Sequence, residues 1–161
     1  MADFERLCSL YVEFPQKFRS LMLSTASAAG APQASYAPFL MDQDRTIYLY
    51  VSGLSNHTQN LRQTRRASVL LIEDEASTKE IFARRRLSYQ CTATFVDDDS
   101  QADLADRFET RFGNIVAMMR QLADFQIVAL TPQSGRFIVG FGAAYAVDPN
   151  NLQRLQPRQA P

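Results

Sequence analysis

The sequence predicts a mainly β fold, a small antiparallel barrel of six or seven strands with a few short flanking helices. Short runs in which apolar and polar residues alternate recur along the chain, as in strands that bury one face. Tight turns separate these runs, and many short strands joined in this way are typical of a small barrel. No repeat or linker divides the 161 residues, which suffice for one domain with its own core.

The domain is expected to begin with a helix and to end in a polar tail. Phe4, Leu7 and Tyr11 fall at helical spacing, and Pro15 is expected to kink or restart the helix that carries them. The tail is polar and contains proline, so we expect it to fray. The predicted division of the single domain 1–161 is a helix over residues 3–20, a core over about 21–148 and a tail over 149–161.

Three strands connected by short turns open the barrel. The turn after the first strand contains Gly30, which supplies the positive φ that a tight hairpin needs. Strict alternation of apolar and polar residues defines the third strand, and Gly53 ends that run. The three predicted strands are Leu21–Ala26, Pro32–Met41 and Thr46–Ser52.

The stretch from Ser52 to Glu73 contains the only histidine, His57, and predicts a strand end, a short helix and a buried strand. Ser55 is a suitable N-cap for the helix, and Leu61 is its apolar anchor. One interpretation of this helix start is a seat for a phosphate or carboxylate, because it offers free backbone N–H groups, hydroxyls and nearby arginines. The other interpretation is a capped connecting helix with a solvated basic face.

The second half of the chain predicts further strands around a helical pair. The helix carries Leu104, Phe108 and Phe112 on one face, and Gly113 interrupts it before a second helical segment. Residues 79–86 are ambiguous and predict at most a helical turn. The predicted strands are Ala67–Ile72, Leu87–Val96, Phe125–Leu130 and Arg136–Phe141, the last two joined by a loop over 131–135.

The totals exclude several classes of protein. Seventeen basic residues balance seventeen acidic ones, so charge favours neither a nucleic-acid nor a membrane partner. No apolar run is long enough to span a bilayer, and no leader pattern opens the chain. Cys8 and Cys91 make no disulfide framework and are expected to be reduced, and no cluster has zinc spacing, so no metal site is predicted. We therefore expect a cytoplasmic protein.

Five segments, in order, resemble a known family. Residues 21–39 are similar to the first hairpin of the pyridoxamine 5′-phosphate oxidase-related FMN-binding split barrels. With the other four, the chain resembles the haem-utilisation branch of that superfamily, the HugZ/HutZ-type proteins. The four are H-T-Q-N-L (57–61), L-I-E-D-E (71–75), I-F-A-R-R-R-L (81–87) and G-R-F-I-V-G-F-G-A-A-Y (135–145).

The resemblance implies a split β-barrel that works as a homodimer, with two cofactor sites at the subunit interface. In flavin-binding members the FMN phosphate sits on the strand-to-helix segment, where this chain has Asn56 and His57 in place of an Arg-Lys pair. Arg84 or Arg86 is then expected to supply the charge, and Tyr36, Pro38 and Tyr50 to line a flat slot. The candidate cofactor-binding residues are Ser35, Tyr36, Tyr50, Ser52, Ser55, Asn56, His57, Thr58, Arg84 and Arg86. No catalytic residue is assigned.

Three functional interpretations follow, in this order of preference. The first is an FMN-dependent oxidoreductase, and the second is a haem-binding, haem-storage or haem-degrading protein. In haem-degrading members a tail histidine binds the iron and an aspartate orients it. Asp124 matches the aspartate, but residues 140–161 contain no histidine. The third interpretation is a dimeric barrel that has lost its cofactor. The apolar strand residues that we expect to remain uncovered by the helices and to form the dimer interface are Val69, Leu71, Phe137 and Val139.

Overall fold

Six antiparallel strands close into a barrel and a seventh extends its edge in the computed structural model, which describes residues 2–157. The sheet order is β3-β2-β1-β4-β5-β6-β7, and pairing of β3 with β6 closes the barrel. The fold class predicted from sequence is confirmed. The strands are β1 (Ser20–Ala26), β2 (Pro32–Met41), β3 (Ile47–Ser52), β4 (Arg66–Ile72), β5 (Arg86–Phe95), β6 (Phe125–Gly140) and β7 (Ala143–Ala146).

The helices cap the ends of the barrel and cover part of its wall. Pro15 ends the first helix and starts a 3₁₀ turn, as predicted, because proline fits the first turn of a helix but not its interior. Gly113, at φ +84°, separates the last two helices. The helices are α1 (Ala2–Glu13), α2 (Asn56–Thr64), α3 (Asp98–Phe112) and α4 (Asn114–Met119), with 3₁₀ turns at Phe14–Lys17, Glu75–Ser77 and Ile81–Ala83.

Two apolar cores hold the molecule together. The larger fills the barrel, where Tyr11 and Phe14 lie at one end with their rings 5.7 and 5.3 Å from that of Phe137. Leu61 of α2, which is fully buried, belongs to the same core. The smaller core lies outside the barrel wall, between the strands and the helical pair α3–α4. The buried face predicted for α3 is therefore correct, with Phe108 at its centre.

The prediction of two separate strands after α4 is wrong, because β6 runs unbroken from Phe125 to Gly140. The proline expected to force a loop, Pro132, sits where the pairing with β5 shifts register between Gln90 and Cys91. A bulge tolerates a residue without an N–H group, so the strand continues. The end of the predicted polar tail, residues 158–161, lies outside the described residues. Before it, Val147 and Leu155 form a β-bridge.

The four residues predicted from sequence to form an uncovered apolar face for a dimer do not lie on such a face. Successive side chains of a strand point to opposite faces, and the four chosen positions have the parity of the barrel interior. Three of them are fully buried and the fourth packs partly against the same core. These residues are Val69, Leu71, Phe137 and Val139.

A different set of apolar residues lies on the outer face of the sheet. Met22 is 50% exposed and pairs across strands with Tyr36, which is 65% exposed, and with Leu70. One step along the sheet, Ile72 and Ile138 flank Arg86 in the same way. We call these residues the outer face: Met22, Tyr36, Leu70, Ile72, Arg86 and Ile138.

Both cysteines are buried and free. Burial raises the pKa of the Cys91 thiol to about 12, so this side chain stays protonated and acts as a small apolar residue. Within residues 2–157, no helix is both long and apolar enough to cross a membrane.

Gly135 is expected to be required for stability. A Cβ atom there would lie 2.6 Å from Tyr89 Cδ1 and 2.8 Å from Val147 Cγ2. We expect Gly135→Ala to lower the free energy of unfolding, measured in urea, by about 1–3 kcal/mol. Gly140→Ala on the same strand is the control, because its Cβ would meet only Ala143 Cβ, at 4.0 Å. Equal stability of the two variants would contradict the close-contact argument.

Candidate functional site

The connection between β3 and α2 is held by Asp124, which precedes β6. The backbone N–H of Gly53 donates to the Asp124 carbonyl at 2.7 Å, and the Ser52 hydroxyl donates to Asp124 Oδ2 at 2.6 Å. Ser52 Oγ also accepts from the N–H of Leu54 at 3.1 Å. Gly53 allows this approach, because a Cβ there would lie 3.1 Å from the Asp124 carbonyl oxygen. Asp124 therefore fixes where the helix begins.

The start of α2 presents a neutral polar surface. Ser55 has the extended N-cap conformation, but its side chain makes no capping hydrogen bond, so its hydroxyl stays available. Asn56 is exposed and His57 is half-buried. Burial lowers the pKa of His57 below that of a free imidazole, so the ring is neutral at pH 7. The first backbone N–H groups of the helix and this uncharged imidazole form one patch.

The opposite side of α2 plugs the barrel. Thr58 is completely buried, and its hydroxyl has no hydrogen-bond partner within the described residues. Asn60 is also buried and donates to Thr25 Oγ1 at 3.0 Å and to Gln33 Oε1 at 3.2 Å. Thr58, a predicted cofactor contact, thus belongs to the inner side of the helix, away from the exposed patch at Asn56.

The three consecutive arginines differ in what they contact. Arg84 donates to the Glu73 carbonyl from Nε and Nη2 and pairs with Glu75 at 3.1 Å. Arg85 pairs with Glu73 at 3.3 Å, and its side chain is 28% exposed. Arg86 makes one hydrogen bond, from Nη1 to the Arg84 carbonyl at 2.9 Å. Among the three, only Arg86 has no carboxylate partner in the described residues.

One chain does not bring Arg86 and His57 together. Arg86 begins β5, whereas Phe95 ends it beside α2, where the Arg62 and Arg65 guanidinium carbons lie 5.5 Å from its ring centre. The strand has 10 residues, so at about 3.3 Å per residue these ends lie roughly 30 Å apart. The two predicted halves of the site therefore lie at opposite ends of the barrel.

The remaining predicted contacts are also divided between different surfaces. Ser35 donates to the Leu23 carbonyl at 3.3 Å, whereas its neighbour Tyr36 points to the outer face, so the two cannot line the same slot. The ring centre of Tyr50 lies 5.7 Å from the ring centres of both Phe108 and Phe125, so Tyr50 packs beneath α3. The predicted slot of Tyr36, Pro38 and Tyr50 stays a prediction: Tyr36 and Pro38 are exposed on the outer side of β2, and α3 covers part of Tyr50 on the neighbouring β3.

Several polar contacts around α2 escaped the sequence analysis. Gln59 Nε2 donates to the Gly53 carbonyl at 2.6 Å, and Arg62 donates to Gln126 Oε1 at 2.7 Å. The resemblance identified Asp124 but not its bond to Ser52, from which it is 72 positions away. No local pattern in the sequence indicates the Ser52–Asp124 and Arg62–Gln126 pairs, because they depend on the β3–β6 pairing.

Comparisons with known proteins agree with this architecture. Residues 10–139 match the family model described as pyridoxamine 5′-phosphate oxidase. The chain is 37% identical over 142 residues to the haem oxygenase HutZ of Vibrio cholerae, which covers 87% of this chain and 80% of that protein. A crystal structure of V. cholerae HutZ, described there as a haem storage protein, superposes with TM-score 0.75 at 34% identity, covering 83% of this chain and 96% of that one. The crystal structure of Campylobacter jejuni ChuZ superposes with TM-score 0.81 at 30% identity, and the match covers 98% of this chain and 67% of that one.

The hydroxyl of Ser52 is expected to hold the β3–α2 connection. Ser52→Ala removes a hydrogen bond to a carboxylate and the acceptor of the Leu54 N–H, so we expect a loss of about 1–3 kcal/mol of unfolding free energy. Amide exchange at Leu54 should accelerate. Ser55→Ala is the matched control, because that hydroxyl makes no capping bond. Comparable exchange at Leu54 in both variants would show that Ser52 does not fix the turn.

Proposed function

This chain belongs to the pyridoxamine 5′-phosphate oxidase family, in its HutZ-type haem-utilisation branch, and on that premise we propose that it binds haem as a homodimer. The observation that carries the proposal is the low fixed charge of the helix start. Asn56 and His57 are uncharged there, and Arg84 and Arg85 are committed to glutamates. The phosphate dianion of FMN would find no positive counter-charge at this helix start. Haem, which has a largely apolar ring and two separate propionates, needs fewer positive charges there.

The residues on the outer face suit a ligand of this kind. Met22, Tyr36 and Leu70 offer apolar and aromatic surface for a flat ring. Arg86 lies on the same face between Ile72 and Ile138, where it is suited to hold a carboxylate. The neutral imidazole of His57 is suited to accept a hydrogen bond or bind iron. Haem would supply the redox-active iron, and these side chains would hold its ring and propionates.

A two-fold dimer explains how residues from opposite ends of the barrel serve one site. In an isologous pair, the same patch of each subunit meets its copy in reversed orientation. If the outer faces meet with antiparallel strands, the α2 end of one chain lies beside the Arg86 end of the other. The exposed Met22 and Tyr36 favour such an interface, because contiguous apolar surface is uncommon on monomers. We therefore propose two sites for each dimer, each drawing on both subunits.

FMN is the second candidate cofactor, in a flavin-dependent oxidoreductase. It is favoured by the unengaged Ser55 hydroxyl and the free N–H groups at the start of α2, since helix N-termini bind phosphate. A barrel without a cofactor is the third candidate, consistent with the uncharged Asn56–His57 pair. These candidates differ in the ligand that the purified dimer takes up.

Titration with haemin and with FMN tests the proposal. We expect a saturable Soret band with haemin and no saturable quenching of FMN fluorescence. Arg86→Ala should weaken haemin binding about 10- to 150-fold, because a charge-assisted hydrogen bond contributes about 1.5–3 kcal/mol. Arg85→Ala is the control, since Glu73 already uses that charge. Saturable FMN quenching without a Soret change would replace haem by the flavin, and the absence of both would favour the third candidate.

Mixed dimers test whether the site is shared. A His57→Ala chain and an Arg86→Ala chain, carrying different tags, are co-expressed and the mixed dimer is isolated at twice the 18.2 kDa chain mass. If each site takes His57 from one subunit and Arg86 from the other, one site is intact and the other carries both changes. We expect half the wild-type haemin stoichiometry at wild-type affinity. Two weakened sites, with no site of wild-type affinity, would contradict this, because they would mean that His57 and Arg86 of each site come from the same chain.

A further inference from the structure

A cavity of about 690 Å³ lies at the end of the barrel opposite α2. It is lined by the end of α1, the β2–β3 turn, the last turn of α3 and the segment after β7. Val12, Phe39 and Met41 give it apolar walls. None of the candidate cofactor-binding residues lines it, so this cavity is separate from the proposed haem site.

A buried arginine that has no carboxylate partner within residues 2–157 lies in the wall of this cavity. Arg45 is only 3% exposed, and its Nε and Nη2 have no hydrogen-bond partner within residues 2–157. Its Nη1 donates to the Val12 carbonyl at 3.3 Å, and its guanidinium carbon lies 4.8 Å from the centre of the Tyr11 ring. Neither contact neutralises the charge. A buried, unpaired cation is costly, and its field is weakly screened in the interior.

The backbone adds to the cost of this position. Arg45 has φ +71°, in the left-handed region that non-glycine residues seldom adopt. The chain thus holds a charged residue in a strained conformation and away from water. Glycine or asparagine would relieve the strain, and an apolar side chain would relieve the burial of charge.

The remaining polar side chains of the wall add positive charge and donors. Arg111 makes one hydrogen bond, from Nη2 to the Phe18 carbonyl at 2.8 Å, which leaves its other N–H groups unbonded within the described residues. Asp42 is the one acidic side chain among the lining residues, and Arg107 neutralises it at 2.5 Å. Gln16 and Gln43 contribute amide groups. The wall therefore has two uncompensated positive charges beside apolar surface.

We propose that this cavity is a second binding site, which takes a small organic anion with one carboxylate and an apolar body. Arg45 acts through its field, because its unpaired nitrogens are enclosed, while Arg111 and the glutamine amides donate to the carboxylate. The apolar walls contact the rest of the ligand. The volume lies within the range of small-molecule sites in proteins.

Benzoate and benzamide test this inference, because they share a shape and differ in charge. Each is titrated into ¹⁵N-labelled protein at constant ionic strength, with the amide signals of Gln43, Arg45 and Gln153 as reporters. We expect saturable shifts with benzoate and affinity about tenfold or more above that for benzamide, which corresponds to about 1.4 kcal/mol. Equal affinities, no saturation, or benzoate shifts confined to the start of α2 would overturn the proposal.

Variants separate the two arginines from general charge effects. Arg111→Gln should weaken benzoate binding about tenfold and leave benzamide unchanged, and Arg45→Gln should abolish the preference for benzoate. The exposed Arg136, on β6 and outside the cavity, supplies the control Arg136→Gln, which should bind both as the wild type does. If Arg45→Gln does not fold, the benzoate and benzamide affinities of Arg111→Gln decide whether the cavity binds the carboxylate. An equal loss of benzoate affinity in Arg111→Gln and Arg136→Gln would reduce the effect to net charge and overturn the assignment.

Discussion

The pairing of β3 with β6 is the constraint on which the rest of the molecule depends. It turns an open sheet into a barrel, and it brings the end of β3 beside Asp124, just before β6. Gly53 and Ser52 then meet the backbone and side chain of Asp124, and α2 starts from that fixed point. Without this closure the buried face of α2, with Thr58 and Leu61, would have no interior to fill.

Closure also separates the two ends of the barrel. α2 covers one end, and Tyr11 and Phe14 fill the other. Because β5 runs the length of the barrel, His57 and Arg86, which belong to two separate family-like segments (57–61 and 81–87), lie at opposite ends of the barrel in one chain. In the two-fold dimer that we propose, the antiparallel arrangement places the Arg86 end of the second copy beside α2.

The distribution of fixed charge gives the proposed haem site and the cavity beside Arg45 different chemistry. Near α2, the imidazole is neutral, and at the far end of β5 two of three arginines are paired with glutamates. At the opposite end, Arg45 is buried with no carboxylate partner in the described residues. Pairing with glutamates neutralises Arg84 and Arg85, whereas the guanidinium of Arg45, which has no carboxylate partner within residues 2–157, keeps its charge beside the cavity. The same residue type thus has opposite consequences, depending on its neighbours.

The sequence by itself determined the fold class and the order of most elements, because strand alternation, helical spacing and turn residues are local properties. The resemblance of five segments to a known family indicated the family. Pro15 and Gly113 marked helix ends correctly for the same reason. Only the tertiary structure decided that β6 continues past Pro132, since a register shift against β5 accommodates the proline. It also decided that Val69 and Phe137 face inward, that Thr58 is buried and that Arg45 has no carboxylate partner in the described part of the chain. These outcomes depend on contacts between residues far apart in sequence, which barrel closure sets and no local pattern encodes.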